Sequence, residues 1–246
     1  MSGAGIYVYG IVRADHPCRL GDLPGIADVL AQGRGAGVWR VAAASTAAVV
    51  STAPAQPRAK RRDLLVHQAV LEAVWRQGPV LPMRFGTLAR SEAHLRTELA
   101  TSARQHREAL DRVEGCGEVN VKLLPDEELL IHQVAHADST VQRLIHGVSG
   151  NYTAKLRLGE AVATALAERT TADTGQIAGS LARFAVRTAP APAVQGCAMN
   201  TSFLVNLRSM DGFLASAAKL EAGLGPRYRW RITGPMPPYS FTRWTE

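Results

Sequence analysis

The chain has 246 residues, 46% of them hydrophobic, three cysteines and a formal net charge of +7 at pH 7. That apolar content fits a globular protein with one large or two ordinary cores, and Cys18, Cys116 and Cys197, odd in number and far apart, support neither a disulfide framework nor a paired-cysteine zinc site. A reducing cytoplasm is expected, with no signal peptide in MSGAGIYVYGIV and no apolar stretch long enough for a membrane span.

Ile6–Val12 (IYVYGIV) reads as a strand, followed by a turn at DLPGI, residues 22–26. Val38–Val50 has strand positions at both ends of an alanine-rich middle. Pro54 and Pro57 precede a helix over Asp63–Gln77, with Asp63 as N-cap, Gly78-Pro79 as the stop, and Leu64, Val70, Leu71, Val74 and Trp75 on its buried face. PVLPMRFGTL is a loop-strand element beside that helix. Ser91 caps one long helix reaching Glu114, in which Leu95, Leu99, Ala103, His106, Leu110 and Val113 share a side. Gly115 and Gly117 end it, and they divide a domain of residues 1–115 from one of residues 116–246.

Beyond them the order is strand (GEVNVKLL), a helical region from Asp126 to about Phe184 interrupted at 146–150 and near Asp173–Gly175, strands at Ala185–Thr188 and Met199–Asn206, a helix near Ser209–Ala222, and the strand RYRWRIT. This is the order of the ferredoxin-like split βαβ domain, an antiparallel sheet with its helices on one face. The expected fold class is therefore α+β with two domains.

The charge excess lies at the front: residues 1–110 hold 14 Lys/Arg against 8 Asp/Glu, whereas the remainder hold 14 against 13. Its densest point, Arg58, Lys60, Arg61 and Arg62, is either a patch for phosphates or an acidic partner, or a solvated loop. No aromatic residue interleaves with it as a stacking platform needs, so nucleic-acid binding through Arg58–Arg62 is the second reading of function.

GRGAG at 33–37 lacks the G-x-G-x-x-G spacing and leads into a strand, no Walker sequence or G-x-S-x-G elbow is present, and no cysteine carries an activating signature. Glu128, His132 and His136, four apart along a helix, can present metal ligands, but no second cluster completes a shell, and solvated histidines are the alternative. No catalytic residue, cofactor, metal or small-molecule substrate is assigned. His67 is read as capped or core-facing. Arg84 is read as a structural pin for Glu72 or Asp63, with partner binding as its other role.

The segments YVYGIV, LPGI, RRDLLVHQAVLEAVWRQGPVLPMRFGTL, NTSFLVNLRSMDGFLASAAKL and RITGPMPPYSF, in this order, resemble the gas vesicle protein F/L family over nearly the whole chain. Met236 stands where that family more commonly has an aromatic residue, and residues 126–150 carry no family motif. The resemblance implies a non-enzymatic accessory protein of gas vesicle assembly, cytoplasmic and vesicle-associated. Its implied partners are the small hydrophobic shell protein and other accessory proteins. The residues assigned to partner binding are Arg84, Phe85, Arg231, Tyr239 and Phe241. The PMPPYSF tail docks either across a cleft or on its own domain.

Overall fold

The computed structural model describes residues 5–20, 23, 25–26, 37–53, 60–147 and 152–242. Arg58, residues 33–36 of GRGAG, Asp22 and Pro24 of the first turn, and Asn151 lie outside them. Packing divides the chain into two units, residues 1–118 with 235–246, and residues 119–234.

The first unit is built on strand β1, Ile6–Arg13, every residue of which except Arg13 is buried. A run this apolar is covered on both faces. β2 (Val38–Ala43) and β3 (Thr46–Thr52) form a hairpin turned at Ala44, and β3 pairs antiparallel with β1. The alanine-rich middle of this segment is thus a turn between two strands. PVLPMRFGTL supplies two short strands, β4 (Leu81–Pro82) and β5 (Leu88–Ala89), which pair with β1 at Ile11/Gly10 and Tyr7/Ile6. This element is part of the sheet, and residues 83–87 arch between its two strands.

Helix α1 spans Arg61–Trp75 with Lys60 at its N-cap. It starts two residues before the expected Asp63, which lies buried in the first turn instead of capping. The inward stripe is consequently Asp63, His67, Val70, Leu71 and Val74, while Leu64, one position out of phase, is 42% exposed. Trp75 is half-buried, and its indole Nε1 donates to the Cys116 carbonyl at 3.0 Å.

Ser91 caps as expected, its Oγ accepting from the His94 amide at 3.2 Å. The long helix, however, is two: α2 (Glu92–Thr101) and α3 (Ala103–Val113), parted where Ser102 leaves helical geometry at φ −100°, ψ 11°. Arg13 ties α3 to β1 by contacts of 2.6 Å to Asp111 and 2.8 Å to Glu114.

The chain passes into the second unit within β6 (Cys116–Pro125). Here α4 (Glu127–Ala137) and α5 (Ser139–Gly147) are separated by Asp138, whose Oδ1 accepts from the amides of Thr140 and Val141. Helix α6 (Tyr152–Ala182) then runs unbroken through 173–175, against the expected interruption. Asp173 is held inside that helix by Arg169, one turn earlier, so a residue that reads as a breaker acts as an internal ion-pair partner.

Strands β7 (Ala185–Pro190) and β8 (Met199–Asn206) pair antiparallel, helix α7 (Met210–Leu224) ends before Gly225 at φ 59°, and β9 (Tyr228–Met236) closes the sheet in the order β7-β8-β6-β9. Its core joins Val119, Val121 and Leu123 of β6 and Phe203 and Val205 of β8 to Ile177, Leu181 and Phe213. The intervening strand positions turn the other way. Asn120 donates there to Asn200 at 3.0 Å and Ser202 at 3.2 Å. The molecule is an α+β protein with antiparallel sheets.

Candidate functional site

The arch at 83–87 is positioned by a buried aromatic cluster. Tyr7, on β1, donates its hydroxyl to His67 Nδ1 at 2.9 Å, and His67 Nε2 donates to the Met83 carbonyl at 3.2 Å. The Tyr7 oxygen also accepts from the Gly86 amide at 3.1 Å, so one Tyr–His pair holds both ends of the arch. Tyr9 stacks on His67 with ring centroids 5.6 Å apart, and its hydroxyl accepts from the Ile26 amide at 2.9 Å.

Burial pushes the His67 imidazole below its ordinary range and the Tyr7 phenol up to about 12. Both groups are therefore neutral at pH 7. This is the chemistry of a positioning network, since neither group presents a proton to solvent. His67 is core-facing, as its helical phase predicts.

Phe85 is half-buried against this cluster, its ring 5.8 Å from that of His67 and 6.0 Å from that of Tyr7. Arg84 beside it is exposed, and among the described residues it makes no ion pair. The pin reading fails because both proposed acids are already engaged: Asp63 by Arg62 at 3.5 Å, and Glu72 by Arg76 through an i,i+4 pair. Among the described residues Arg84 is therefore a cation without an ion pair, next to the aromatic Phe85 in the chain.

The tail belongs to this unit. Pro237 and Pro238 are buried, Tyr239 packs on the same core as Phe85, and Phe241 is 9% exposed. Glu118, 2% exposed, accepts from the Ser240 amide at 2.7 Å and the Ser240 hydroxyl at 2.6 Å. Burial and the Glu118 charge push the Tyr239 phenol up to about 12. Tyr239 and Phe241 thus anchor the tail.

Arg231 lies in the second unit, on the exposed side of β9, where Arg229 and Arg231 alternate with inward Tyr228 and Trp230. Of the five residues assigned from sequence, Phe85 and Tyr239 pack on the same core of the first unit, Arg84 is exposed beside Phe85, Phe241 is buried in the tail of that unit, and Arg231 belongs to the second unit. Glu128, His132 and His136 are all exposed, and among the described residues no group of three His, Cys, Asp or Glu converges as metal ligands. No described helix is long and apolar enough to cross a membrane.

Among the described residues, the concave surfaces that sequence reading did not point to include two grooves. Along α1, Leu65, Val66, Ala69 and Val70 with Leu23 line an almost wholly apolar groove of about 440 Å³, with Arg61 and Arg62 at its edge. Leu65 is 54% exposed there. In the second unit, α6 and α7 enclose a groove of about 590 Å³ whose lining mixes basic and apolar residues with Asp173, Gln176, Ser180 and Ser216. The exposed Leu64-Leu65 pair at the start of α1 was a usable signal for the first. Nothing local in the sequence announces the second.

The model of the "Gas vesicle synthesis protein GvpL/GvpF" family matches residues 5–243. The chain is 36% identical over 246 residues to gas vesicle protein F of Streptomyces sp. (strain CB03234), covering 96% of this chain and 98% of the relative. Its fold is shared with the crystal structures of GvpF from Anabaena sp. PCC7120 (TM-score 0.82, 21% identity, 99% of this chain and 100% of that one) and from Microcystis aeruginosa (TM-score 0.76, 20% identity, 98% and 100%). The chain belongs to the GvpL/GvpF family of gas vesicle synthesis proteins.

Proposed function

We propose that this protein is a non-catalytic accessory factor of gas vesicle formation. It acts as an adaptor that binds the small hydrophobic shell protein, together with other accessory proteins, in the cytoplasm and at the growing vesicle. Family membership supports the gas vesicle role. The observation that carries the adaptor reading is the apolar groove along α1, where Leu65, Val66 and Ala69 present a helix-lined surface with almost no polar lining. An amphipathic, self-associating shell subunit is held in check by a partner that covers its apolar face, and helix-lined grooves are suited to that task.

Arg84, exposed and unpaired among the described residues, is the polar contact of this reading, with Phe85, Tyr239 and Phe241 holding the surrounding surface in place. Arg231 is a contact on the other unit. The two packed units are read as two domains, with a division near the glycines at 115–117, and the β7-β8-β6-β9 order supports a ferredoxin-like second domain.

The alternative of nucleic-acid binding draws on Arg61 and Arg62, which border an apolar groove rather than a stacking surface. The experiment is capture of purified shell protein by the wild-type chain and by Leu65→Glu with Ala69→Glu, two changes that put charge into the groove. Loss of capture with an unchanged thermal midpoint supports the adaptor. Undiminished capture removes the groove from the account.

A further inference from the structure

The groove between α6 and α7 combines charge and apolar surface in a way the second unit's own packing does not use up. Asp173, 8% exposed, receives Arg169 Nε at 3.1 Å, Arg227 at 3.5 Å and the Tyr228 hydroxyl at 3.1 Å. One carboxylate thus faces two guanidiniums, and Arg227, only 14% exposed, is further fixed by donating Nε to the Leu224 carbonyl at 2.9 Å. Lys219 on α7 and Arg183 in the turn that follows α6 line the same groove; both are exposed, and among the described residues neither forms an ion pair. The groove therefore carries an uncompensated positive charge over a lining that includes Ile177, Leu220 and Phe184, the last 37% exposed.

We propose that this groove binds an acidic amphipathic helix of a partner protein. A cleft between two helices accepts the side-chain ridge of a third. The apolar lining takes that ridge, while Lys219 and Arg183 meet carboxylates along its flank. A nucleic acid fits less well, because Phe184 is the one aromatic residue in the lining and offers no platform on which successive bases stack. The inference goes beyond the shell-protein reading and does not depend on it.

Gly223 provides the test, since it lines the groove on α7 and a Cβ there meets nothing within 4 Å. Gly223→Trp fills the groove without displacing the core, and Gly223→Ala is its control. The probe is a fluorescein-labelled peptide of about 18 residues with Leu on one helical face and Glu on the other, followed by anisotropy against the full chain.

The expected result is saturable binding that weakens at least tenfold in Gly223→Trp and in the double variant Arg183→Glu, Lys219→Glu, stays unchanged in Gly223→Ala, and is absent for the same peptide with Lys in place of Glu. Wild-type affinity in Gly223→Trp overturns the proposal. So does displacement of the peptide by a single-stranded oligonucleotide of equal charge, which would make the groove a phosphate site. Shell-protein capture by Gly223→Trp is read alongside: capture retained while the peptide is lost separates this groove from the function above, and capture lost together with the peptide places the shell protein in it.

Discussion

At the scale of single residues, two features of the first unit carry measurable consequences. A Cβ added at Gly10 stands 2.9 Å from the Leu81 carbonyl oxygen and 2.9 Å from Val80 Cγ2, at the point where the β1–β3 register shifts. The backbone cannot give way there without breaking the β4 pairing, so Gly10→Ala lowers stability by about 2–3 kcal/mol in urea unfolding. Gly179→Ala, on α6 with open space around its Cβ, changes stability the other way by about 0.5–1 kcal/mol.

The second feature is pH. His16, His67 and His106 are all held below the ordinary value of 6.5, chiefly by burial. Each binds its proton more weakly folded than unfolded, so the stability they share is complete above 6.5 and falls as acidification carries the pH through their lowered folded values. Urea midpoints are expected to decline below pH 6.5, and His67→Gln removes part of that slope. A midpoint independent of pH between 7.5 and 5 contradicts this account.

At the scale of elements, the tail is a fastening for the first unit. Its amide and hydroxyl at Ser240 satisfy a buried carboxylate, Glu118, and Tyr239 fills the core beside Phe85. Ser240→Ala removes one of these bonds and costs about 1–2 kcal/mol, while Glu118→Ala removes both and costs more. Limited proteolysis detects both as faster cleavage near residue 235.

The elements also show what could be read in advance. The stripe of Val70, Leu71 and Val74 and the limits of Met199–Asn206 follow from short-range periodicity, and the helix after Ser91 from a cap that acts on its own turn. The break at Ser102 was hidden because the apolar spacing continues through it while the backbone alone departs. Asp173 reads as a breaker until Arg169 and Arg227 are brought to it, and Arg227 arrives from beyond α7. Arg84 was misjudged for a similar reason: its acids were nearer to Arg62 and Arg76, a competition decided by the helical phase of α1. The groove between α6 and α7 arises from packing between elements, which no single segment encodes.

At the scale of the whole molecule, the +7 charge and the apolar groove make opposite demands on binding. Association through phosphates falls steeply as salt rises, whereas association through apolar burial is little affected. The exposed Arg84 is expected to matter for partner affinity and hardly at all for folding: Arg84→Ala leaves the unfolding midpoint within about 0.5 kcal/mol of wild type while reducing capture of the shell protein.

The most direct measurement is capture of purified gas vesicle shell protein by this chain from low to high salt, with single-stranded oligonucleotide as competitor. The adaptor account predicts retention at high salt, indifference to the oligonucleotide and loss in the Leu65→Glu, Ala69→Glu variant. Absence of capture at any salt, or displacement by the oligonucleotide, contradicts it.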